Sequence, residues 1–368
     1  MDYLKIILIT DQPKNTGIGS YTWTLAKYLS EANNQVSILY NGYFDADASD
    51  SIVELLPIDP IRKTSNPILI PMARKYNSLL LKSYSQVFDD SIVHFCGSDY
   101  SGVKYFSNSV VTIHDLRFDF MLNSLSKSGI RSAFDSVYRD LTNIKAVRDI
   151  KSAKKIIAIS KVTQNQLRNH GLDSKVIHEW INSEEFKPRD KISARKILSL
   201  PEHLKLILNV SSGTKNKRIR FLEHVADLLP EGYKIIKIGF PLRSKNALNV
   251  AKVPDNIYPL YFNAADIYLN VSSFEGFGIP QMEAIGSRLP VLATDIPINR
   301  EVLGEAGMFF DISMRPCEVS ARIKEFLDSK IVPNYLNNIK KQSLNLDGNK
   351  SINAYLEIYQ SVMDERGL

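Results

Sequence analysis

The sequence has few cysteines and no long apolar run. Cys96 and Cys317 are the only cysteines in 368 residues, so neither a disulfide framework nor a four-cysteine zinc site is available. No stretch approaches the about 18 consecutive apolar residues of a membrane-spanning helix, and the first residues lack the basic and apolar regions of a signal peptide. We therefore expect a soluble protein of a reducing compartment, which suggests the cytoplasm.

The chain is too long for one ordinary domain and too short for three, so we expect two domains of roughly 180 residues. Charged residues make up 23% of the sequence, an ordinary globular content that excludes wholesale disorder. The net charge of +6 is concentrated locally, because Lys127–Lys161 holds nine basic and three acidic residues. Such a stretch suits a phosphate-rich partner, an anionic membrane surface or, more simply, a solvated helix face.

Within this basic stretch, apolar residues recur at helical spacing and cations follow them. Arg148, Lys151 and Lys155 lie at i, i+3 and i+7, which predicts one basic helix face beside an apolar one. The apolar positions are Phe134, Val137, Tyr138, Leu141 and Ile144. The pattern indicates a surface that docks on an anionic membrane, and the alternative is that the apolar face is ordinary domain core.

Short runs rich in β-branched residues alternate with helical patterns along the whole chain, which predicts two doubly wound α/β domains with parallel sheets. The periodicity lapses near Asn182–Pro188, so we place the domains at 1–182 and 183–350, followed by a C-terminal helix at 351–368. The predicted strands are Leu4–Ile9, Val36–Tyr40, Ile92–Cys96, Val110–Ile113, Ile156–Ile159, Leu206–Val210, Ile235–Ile238, Ile267–Val271, Val291–Ala293 and Met308–Phe310.

Polar residues follow several of these strands where ligands bind in open parallel sheets, at the carboxyl ends. Gly17 and Gly19 follow the first strand and predict a turn before a helix, and His114 follows Val110–Ile113. Glu275 follows Ile267–Val271. These positions predict ligand contacts in both domains.

The densest segment is Phe274–Ala284. Its glycines, Gly276 and Gly278, predict a tight turn with accessible backbone N–H groups, and Pro280 suits the start of a helix. Glu283 is then expected in the first helical turn. Two carboxylates eight residues apart, Glu275 and Glu283, address two ends of one polar ligand. The alternative is that Glu283 only stabilises the helix and Glu275 is merely solvated.

The segment Glu275-Gly276-Phe277-Gly278-Ile279-Pro280, continued by Glu283-Ala284, resembles the E-x7-E signature of retaining family 4 glycosyltransferases of the GT-B fold. The resemblance extends through Pro290–Asp295 and Glu301–Gly307, and reaches the amino-terminal half at Gly17–Tyr21 and Val111–Leu116. It implies two Rossmann-like domains that face each other across a cleft, with a nucleotide-sugar donor in the second. The terminal helix is expected to cross back to the first domain.

The resemblance assigns a donor site residue by residue. Glu283 accepts hydrogen bonds from the ribose hydroxyls, and Glu275 lies by the donor sugar. The backbone of Gly276, Phe277 and Gly278 binds sugar hydroxyls.

A basic residue after the first strand of the second domain is expected to hold the diphosphate, and Lys217 fits best, with Arg218 beside it. The family's arginine a few residues earlier is missing, because Ser211 and Ser212 occupy that region. In the first domain, Gly17 and Gly19 would face the diphosphate and His114 would approach the transferred sugar.

The implied reaction is transfer, with retention, of a sugar from a nucleoside diphosphate to a glycan acceptor that is free or lipid-linked. No cofactor and no metal are expected, and retention by front-face attack is not distinguished from other routes. The expected location is the cytoplasm or, through Lys127–Lys161, the inner membrane face. Nucleic acid is not expected as a partner.

Other interpretations stay open. Gly17-Ile18-Gly19 begins a dinucleotide fingerprint, but Thr22 stands where the third glycine belongs. Asp45 and Asp47 form a D-x-D pair of the kind that binds metal in the other glycosyltransferase fold. A nucleotide-sugar epimerase on the same fold would consume donor without an acceptor, and a basic membrane- or polyanion-binding protein would ignore nucleotide sugars.

Overall fold

The structure is a computed structural model that describes residues 3–12, 14, 16–40, 54–56, 70–97, 99–116, 144–329 and 333–365. The chain divides into two compact units. One comprises Met1–His178 together with Asn349–Leu368, and the other comprises Glu179–Gly348. The division lies four residues before the predicted boundary at 182/183, and the C-terminal segment belongs to the first unit from Asn349 onward.

The first unit contains a parallel sheet in the order β3-β2-β1-β4-β5-β6-β7. Its strands are β1 Lys5–Thr10, β2 Gln35–Tyr40, β3 Glu54–Leu56, β4 Ile92–Phe95, β5 Ser109–Ile113, β6 Lys155–Ala158 and β7 Lys175–Val176. The order reverses direction between β1 and β4, so the ligand-binding switch point of this sheet lies at their carboxyl ends.

The second unit contains a parallel sheet in the order β10-β9-β8-β11-β12-β13. Its strands are β8 Lys205–Ser211, β9 Tyr233–Gly239, β10 Ala247–Val250, β11 Ile267–Asn270, β12 Val291–Thr294 and β13 Gly307–Phe310. Here the switch point lies between β8 and β11.

Helices connect the strands in both units, as the alternating pattern predicted. They are α1 Gly17–Glu31, α2 Ile70–Tyr84, α3 Lys161–Asn169, α4 Lys191–Ile197, α5 Ile219–Asp227, α6 Tyr258–Ala264, α7 Ile279–Gly286, α8 Pro297–Leu303, α9 Pro316–Asp328, α10 Pro333–Asn345 and α11 Gly348–Asp364. Residues 144–151 are also helical.

All ten predicted strands are present, and most of them are runs of β-branched and aliphatic residues that both faces of a parallel sheet bury. The sequence missed β3, β7 and β10, which are three of the four edge strands of the two described sheets and have two to four residues each. An edge strand is covered less completely, so it needs no continuous apolar run.

Buried hydrogen bonds hold α11 against the first sheet. The Tyr355 hydroxyl lies 2.6 Å from that of Tyr21, and the Tyr359 hydroxyl lies 2.7 Å from Nδ1 of His94. The other nitrogen of His94, Nε2, lies 2.8 Å from Oγ1 of Thr112. Burial lowers the pKa of His94 to about 3, so this imidazole is a neutral, fully bonded core residue.

Candidate functional site

Lys217 and Glu275 form an ion pair at the switch point of the second sheet. Lys217 ends a 3-10 turn after β8, and Glu275 lies in the loop after β11. Their Nζ and Oε2 atoms are 2.6 Å apart, and the two side chains are only 20% and 10% exposed. The fold thus brings a cation and a carboxylate, separated by 58 residues, to the edge where a ligand of this sheet binds.

The loops that carry this pair are bonded to each other through Asn216. Its carbonyl accepts from the backbone N–H of Ser273 at 2.8 Å, and its Nδ2 donates to the carbonyl of Phe274 at 3.0 Å. Both loops are therefore fixed before any ligand arrives, which lowers the ordering cost of binding.

A chain of hydrogen-bonded, buried side-chain amides orients Glu275. Asn270 Nδ2 donates to Oε1 of Glu275 at 3.3 Å and to Oε1 of Gln281 at 3.1 Å. Gln281 in turn donates to Oδ1 of Asn299 at 3.0 Å. Sequence reasoning missed these three amides. The only available signal was that amides stand at the end of an apolar run and inside a mostly apolar helix.

Gly278 directly precedes α7 and has a backbone conformation that other residues rarely adopt. Its φ is +96°, and a Cβ atom there would lie 2.3 Å from Nε2 of Gln281. Gly276 is not among the residues with positive φ, so the tight turn predicted for both glycines depends on Gly278. Phe277 between them buries its side chain in the second unit.

Glu283 is the fifth residue of α7, so the prediction that it lies in the first helical turn is wrong. The helix begins at Ile279 and not at Pro280, which moves Glu283 one residue further from the positive end of the dipole, out of the first turn. Its Oε2 accepts a hydrogen bond from the Tyr258 hydroxyl at 2.8 Å, and no ion pair holds it within the described residues. Burial raises the pKa of Glu283 to about 8, while the Tyr258 bond opposes that rise.

This setting weakens the alternative in which Glu283 only caps its helix. A partly buried carboxyl with one tyrosine donor is poorly stabilised when ionised. It is well suited to accept hydrogen bonds from the hydroxyls of a ligand. Tyr258, on α6, is a partner that the sequence did not reveal.

Arg218 does not share the environment of Lys217. Its φ of +49° turns the chain at the start of α5. Its guanidinium stacks on the Phe221 ring at 4.0 Å and donates to the carbonyl of Ile312 at 3.2 Å. Of the two predicted diphosphate cations, the structure places Lys217 at the switch point beside Glu275 and Arg218 against a different part of the unit.

In the first unit, Gly17 and Gly19 lie within the first turn of α1 and not in a loop before it. Thr16 caps this helix, and its side chain accepts from the N–H of Gly19 at 3.1 Å. The predicted turn is therefore a helix N-terminus, where exposed N–H groups favour an anion.

His114 follows β5 and is buried. Its Nε2 lies 3.1 Å from the carbonyl oxygen of Cys96, at the end of β4. Because a carbonyl only accepts, Nε2 carries the proton in this contact. The Tyr21 ring packs edge-on at 4.7 Å, so the imidazole is held in one orientation at the carboxyl edge of its sheet.

Comparison with known families accounts for most of the chain. The model of the Glycosyltransferase Family 4 matches residues 15–185, and that of the Glycosyl transferases group 1 matches residues 190–344. The chain belongs to family 4 of the glycosyltransferases. It is therefore an enzyme of glycan synthesis, as the signature around Glu275 and Glu283 indicated.

Curated relatives of this glycosyltransferase match different shares of the chain. The O-antigen chain mannosyltransferase B of Escherichia coli is 24% identical over 363 residues, which is 89% of this chain and 90% of the relative. A teichuronic acid biosynthesis glycosyltransferase of Bacillus subtilis, itself described as putative, is 28% identical over 40% of each chain.

Solved structures confirm the GT-B fold of the glycosyltransferase. Sucrose-phosphate synthase from Thermosynechococcus elongatus has a TM-score of 0.79 at 16% identity, covering 98% of this chain and 100% of that one. WaaG, a glycosyltransferase of lipopolysaccharide biosynthesis, has a TM-score of 0.73 at 14% identity, covering 97% and 99%. At such identities the likeness concerns the fold alone.

The possible metal pair of the glycosyltransferase, Asp45 and Asp47, lies outside the described residues. Among the residues that the structure describes, no three His, Cys, Asp or Glu side chains are grouped so that they could hold a metal ion. None of the described helices has both the length and the apolar character needed to cross a membrane.

The predicted basic helix face of Lys127–Lys161 is partly wrong. Residues 117–143, including Phe134 to Leu141, lie outside the described residues. The helix ends at residue 151, and Lys155 is the first residue of β6, where it pairs with Glu365 at 2.5 Å. Its charge is therefore compensated. Ile144, Arg148 and Lys151 do share the helical segment, and Ile144 is 65% exposed.

Proposed function

We propose that this glycosyltransferase transfers a sugar, with retention of configuration, from a nucleoside diphosphate sugar bound by the second unit to a growing surface glycan. The observation that carries the proposal is the Lys217–Glu275 pair at the switch point of the second sheet. The cation matches the diphosphate and the carboxylate matches the sugar.

In the proposed donor complex, Glu283 accepts hydrogen bonds from the ribose hydroxyls. The backbone of Gly276, Phe277 and Gly278 binds hydroxyls of the sugar. Support comes from the turn before α7, because Gly278 has a φ of +96° that glycine adopts readily and its missing Cβ leaves room for the Gln281 side chain. Glycosyltransferase structures of the same fold from Anabaena contain UDP or UDP-glucose.

Lys217 is proposed to stabilise the departing diphosphate. Cleavage of the glycosidic bond leaves negative charge on the phosphate oxygens, and a fixed ammonium stabilises that charge more in the transition state than in the ground state. Glu275, relieved of part of its ion pair, then lies beside an oxocarbenium-like sugar. The proposal includes front-face attack, in which the departing phosphate takes the acceptor's proton, and it assigns no step to a metal.

The first unit is proposed to supply the acceptor side. The N–H groups at the start of α1, at Gly17 and Ile18, suit a phosphate, while that of Gly19 is already bonded to the Thr16 side chain. His114 is proposed to contact the transferred sugar. The mannosyltransferases of O-antigen chains among the relatives support mannose as the sugar and a polysaccharide chain as the acceptor. In the proposed reaction this acceptor is lipid-linked. A cytoplasmic enzyme at the inner membrane face fits such an acceptor.

A donor panel with and without acceptor tests the proposal. Thermal-shift measurements with GDP-mannose, UDP-glucose and UDP-N-acetylglucosamine should identify one donor that raises the melting temperature by mass action. That donor should be consumed with a lipid-linked or oligosaccharide acceptor, and NMR should show the anomeric configuration of the donor in the product. Donor conversion without acceptor would favour the epimerase, for which the comparisons give no support, and an inverted product would refute retention.

A further inference from the structure

Lys237 is a lysine whose side chain is 0% exposed. It lies near the end of β9, and its Nζ donates to the carbonyl oxygens of Ser211 and Ile238, both at 2.7 Å. In the part of the chain that the structure describes, no carboxylate is paired with it. Lysines are almost never fully buried unless they are paired, since removing an ammonium from water is costly. The two carbonyl bonds satisfy the donors of the ammonium but leave its charge without a counter-ion among the residues described.

The ammonium lies directly beneath the point where β8 and β9 end. Ser211 is the last residue of β8, and it is paired in register with Gly239, the last residue of β9. Gly239 has a φ of +94°, and a Cβ atom there would lie 2.6 Å from the Ser211 oxygen and 3.9 Å from Nζ of Lys237. The charge is thus at the carboxyl edge of the sheet, one strand from the switch point.

Lys237 is close enough to Lys217 for their charges to interact. Burial, and secondly repulsion from Lys217, lower the pKa of Lys237 to about 7. Glu275 is the one carboxylate bonded to Lys217 in the described residues, and none is bonded to Lys237, so the two ammonium groups together carry more positive charge than the bonded carboxylate balances. An anion bound at this edge would relieve that imbalance.

We propose that Lys237 is a positioning residue for the donor diphosphate, holding a positive charge under the β8 loop where Ser211 and Ser212 replace the arginine expected there. The proposal rests on the proposed function, because it assumes that a nucleoside diphosphate binds at this edge. Lys237 acts through the Ser211 carbonyl and through its charge, without touching the substrate.

The other ionisable groups around β9 are engaged elsewhere or exposed. On α5, Glu223 accepts from the N–H of Arg243 and Asp227 accepts from the Ser244 hydroxyl. Arg220 and His224 are exposed. Arg218 stacks on Phe221, as described above, and β10 carries no ionisable side chain. Lys217 and Glu275 are therefore the charges that respond together with Lys237.

Calorimetry with UDP and GDP, and with the matching nucleosides, tests this assignment in the full chain. Lys237→Met keeps the length of the side chain and removes its charge. For the diphosphate that the wild type binds, its affinity should fall by about tenfold or more, because one unit charge at close range is lost. Affinity for the nucleoside, which has no phosphate, should change less than twofold.

Lys234→Met is the matched control, since Lys234 lies on the same strand and donates to the Lys245 carbonyl at 2.8 Å, far from the switch point. It should leave both affinities unchanged. If Lys237→Met loses affinity for the diphosphate and the nucleoside equally, or loses none, the role of Lys237 is overturned while the proposed function stands. A wild type that binds neither UDP nor GDP would overturn the proposed function and this inference with it.

Lys237→Arg provides a second readout that does not depend on the methionine variant folding. Arginine stays charged at every accessible pH, whereas Lys237 loses its proton as the pH rises. Between pH 7 and 9 the diphosphate affinity of the wild type should therefore fall relative to that of Lys237→Arg, by up to about tenfold per pH unit. Parallel pH profiles would show that the charge of Lys237 does not act on the ligand.

Discussion

Replacing Glu283 by glutamine should make the unliganded protein more stable and the donor complex weaker. The Glu283 carboxyl has a pKa of about 8 in the folded chain, whereas a glutamate side chain that is fully exposed to water has a pKa of 4.5. Between these values the folded chain holds a proton that the unfolded chain releases, so the stability of the wild type falls as the pH rises. Glutamine has the same shape, still accepts from the Tyr258 hydroxyl and does not ionise.

The size of the effect follows from these two pKa values. Each pH unit between them is worth about 1.4 kcal/mol, which sets a ceiling of about 3 kcal/mol at pH 7. Because the side chain is only partly buried, we expect Glu283→Gln to gain about 1–3 kcal/mol, or about 3–10 °C in melting temperature. The gain should vanish below pH 4.5 and stay constant above about pH 8.

Donor binding should change in the opposite direction. Two ribose hydroxyls that donate to the carboxyl would stabilise its ionised form in the complex, whereas glutamine does not ionise and has one acceptor oxygen. Loss of these charge-assisted hydrogen bonds costs about 1.5–3 kcal/mol, so the donor KM should rise about tenfold or more. Thermal unfolding from pH 4 to 9 and donor titration of the same preparations measure both effects, with the exposed Glu305→Gln as control. A variant that is less stable at pH 7 would refute the argument from the raised pKa of Glu283, and one that binds donor as well as the wild type does would refute the ribose assignment.

Four further results are expected. Lys217→Ala should lower kcat by about two to three orders of magnitude and raise the donor KM less. The control Lys215→Ala, at an exposed lysine of the same 3-10 turn, should change kcat and KM less than twofold, and equal kinetics for the two variants would contradict the role of Lys217. Gly278→Ala should destabilise the protein by about 1–3 kcal/mol in denaturant unfolding, since its φ of +96° is strained for alanine, and an unchanged midpoint would contradict that strain. Turnover should survive excess EDTA, and loss that a divalent cation restores would revive the Asp45/Asp47 site. Sedimentation with anionic liposomes should fall when Arg148 and Lys151 are both changed to serine, since each lost charge weakens membrane binding by about 1 kcal/mol. The same change at the exposed pair Lys340 and Lys341 should leave sedimentation unaltered. Equal sedimentation of both variants would mean that the helical segment with Arg148 and Lys151 is only a charged surface.

The sequence alone determined the two parallel sheets and the places where their strands end. Central parallel strands are buried on both faces, so they consist of short apolar runs rich in β-branched residues, such as Leu206–Val210 or Val110–Ile113. The residues after such runs necessarily lie at the ligand-binding edge, which is why Glu275 and His114 could be placed there. The family followed from the same segments, because the signature near Glu275 is local in sequence.

The tertiary structure alone decided which neighbours these residues have. Lys217 and Arg218 are adjacent in sequence, but the positive φ of Arg218 turns its guanidinium onto Phe221 while Lys217 meets Glu275. Glu283 acquires its pKa from burial and from Tyr258, which is 25 residues away. Lys237 lies inside a run that reads as an ordinary buried strand. Periodicity records which face of an element is apolar, but the partner of a buried charge depends on contacts that only the folded sheet brings together.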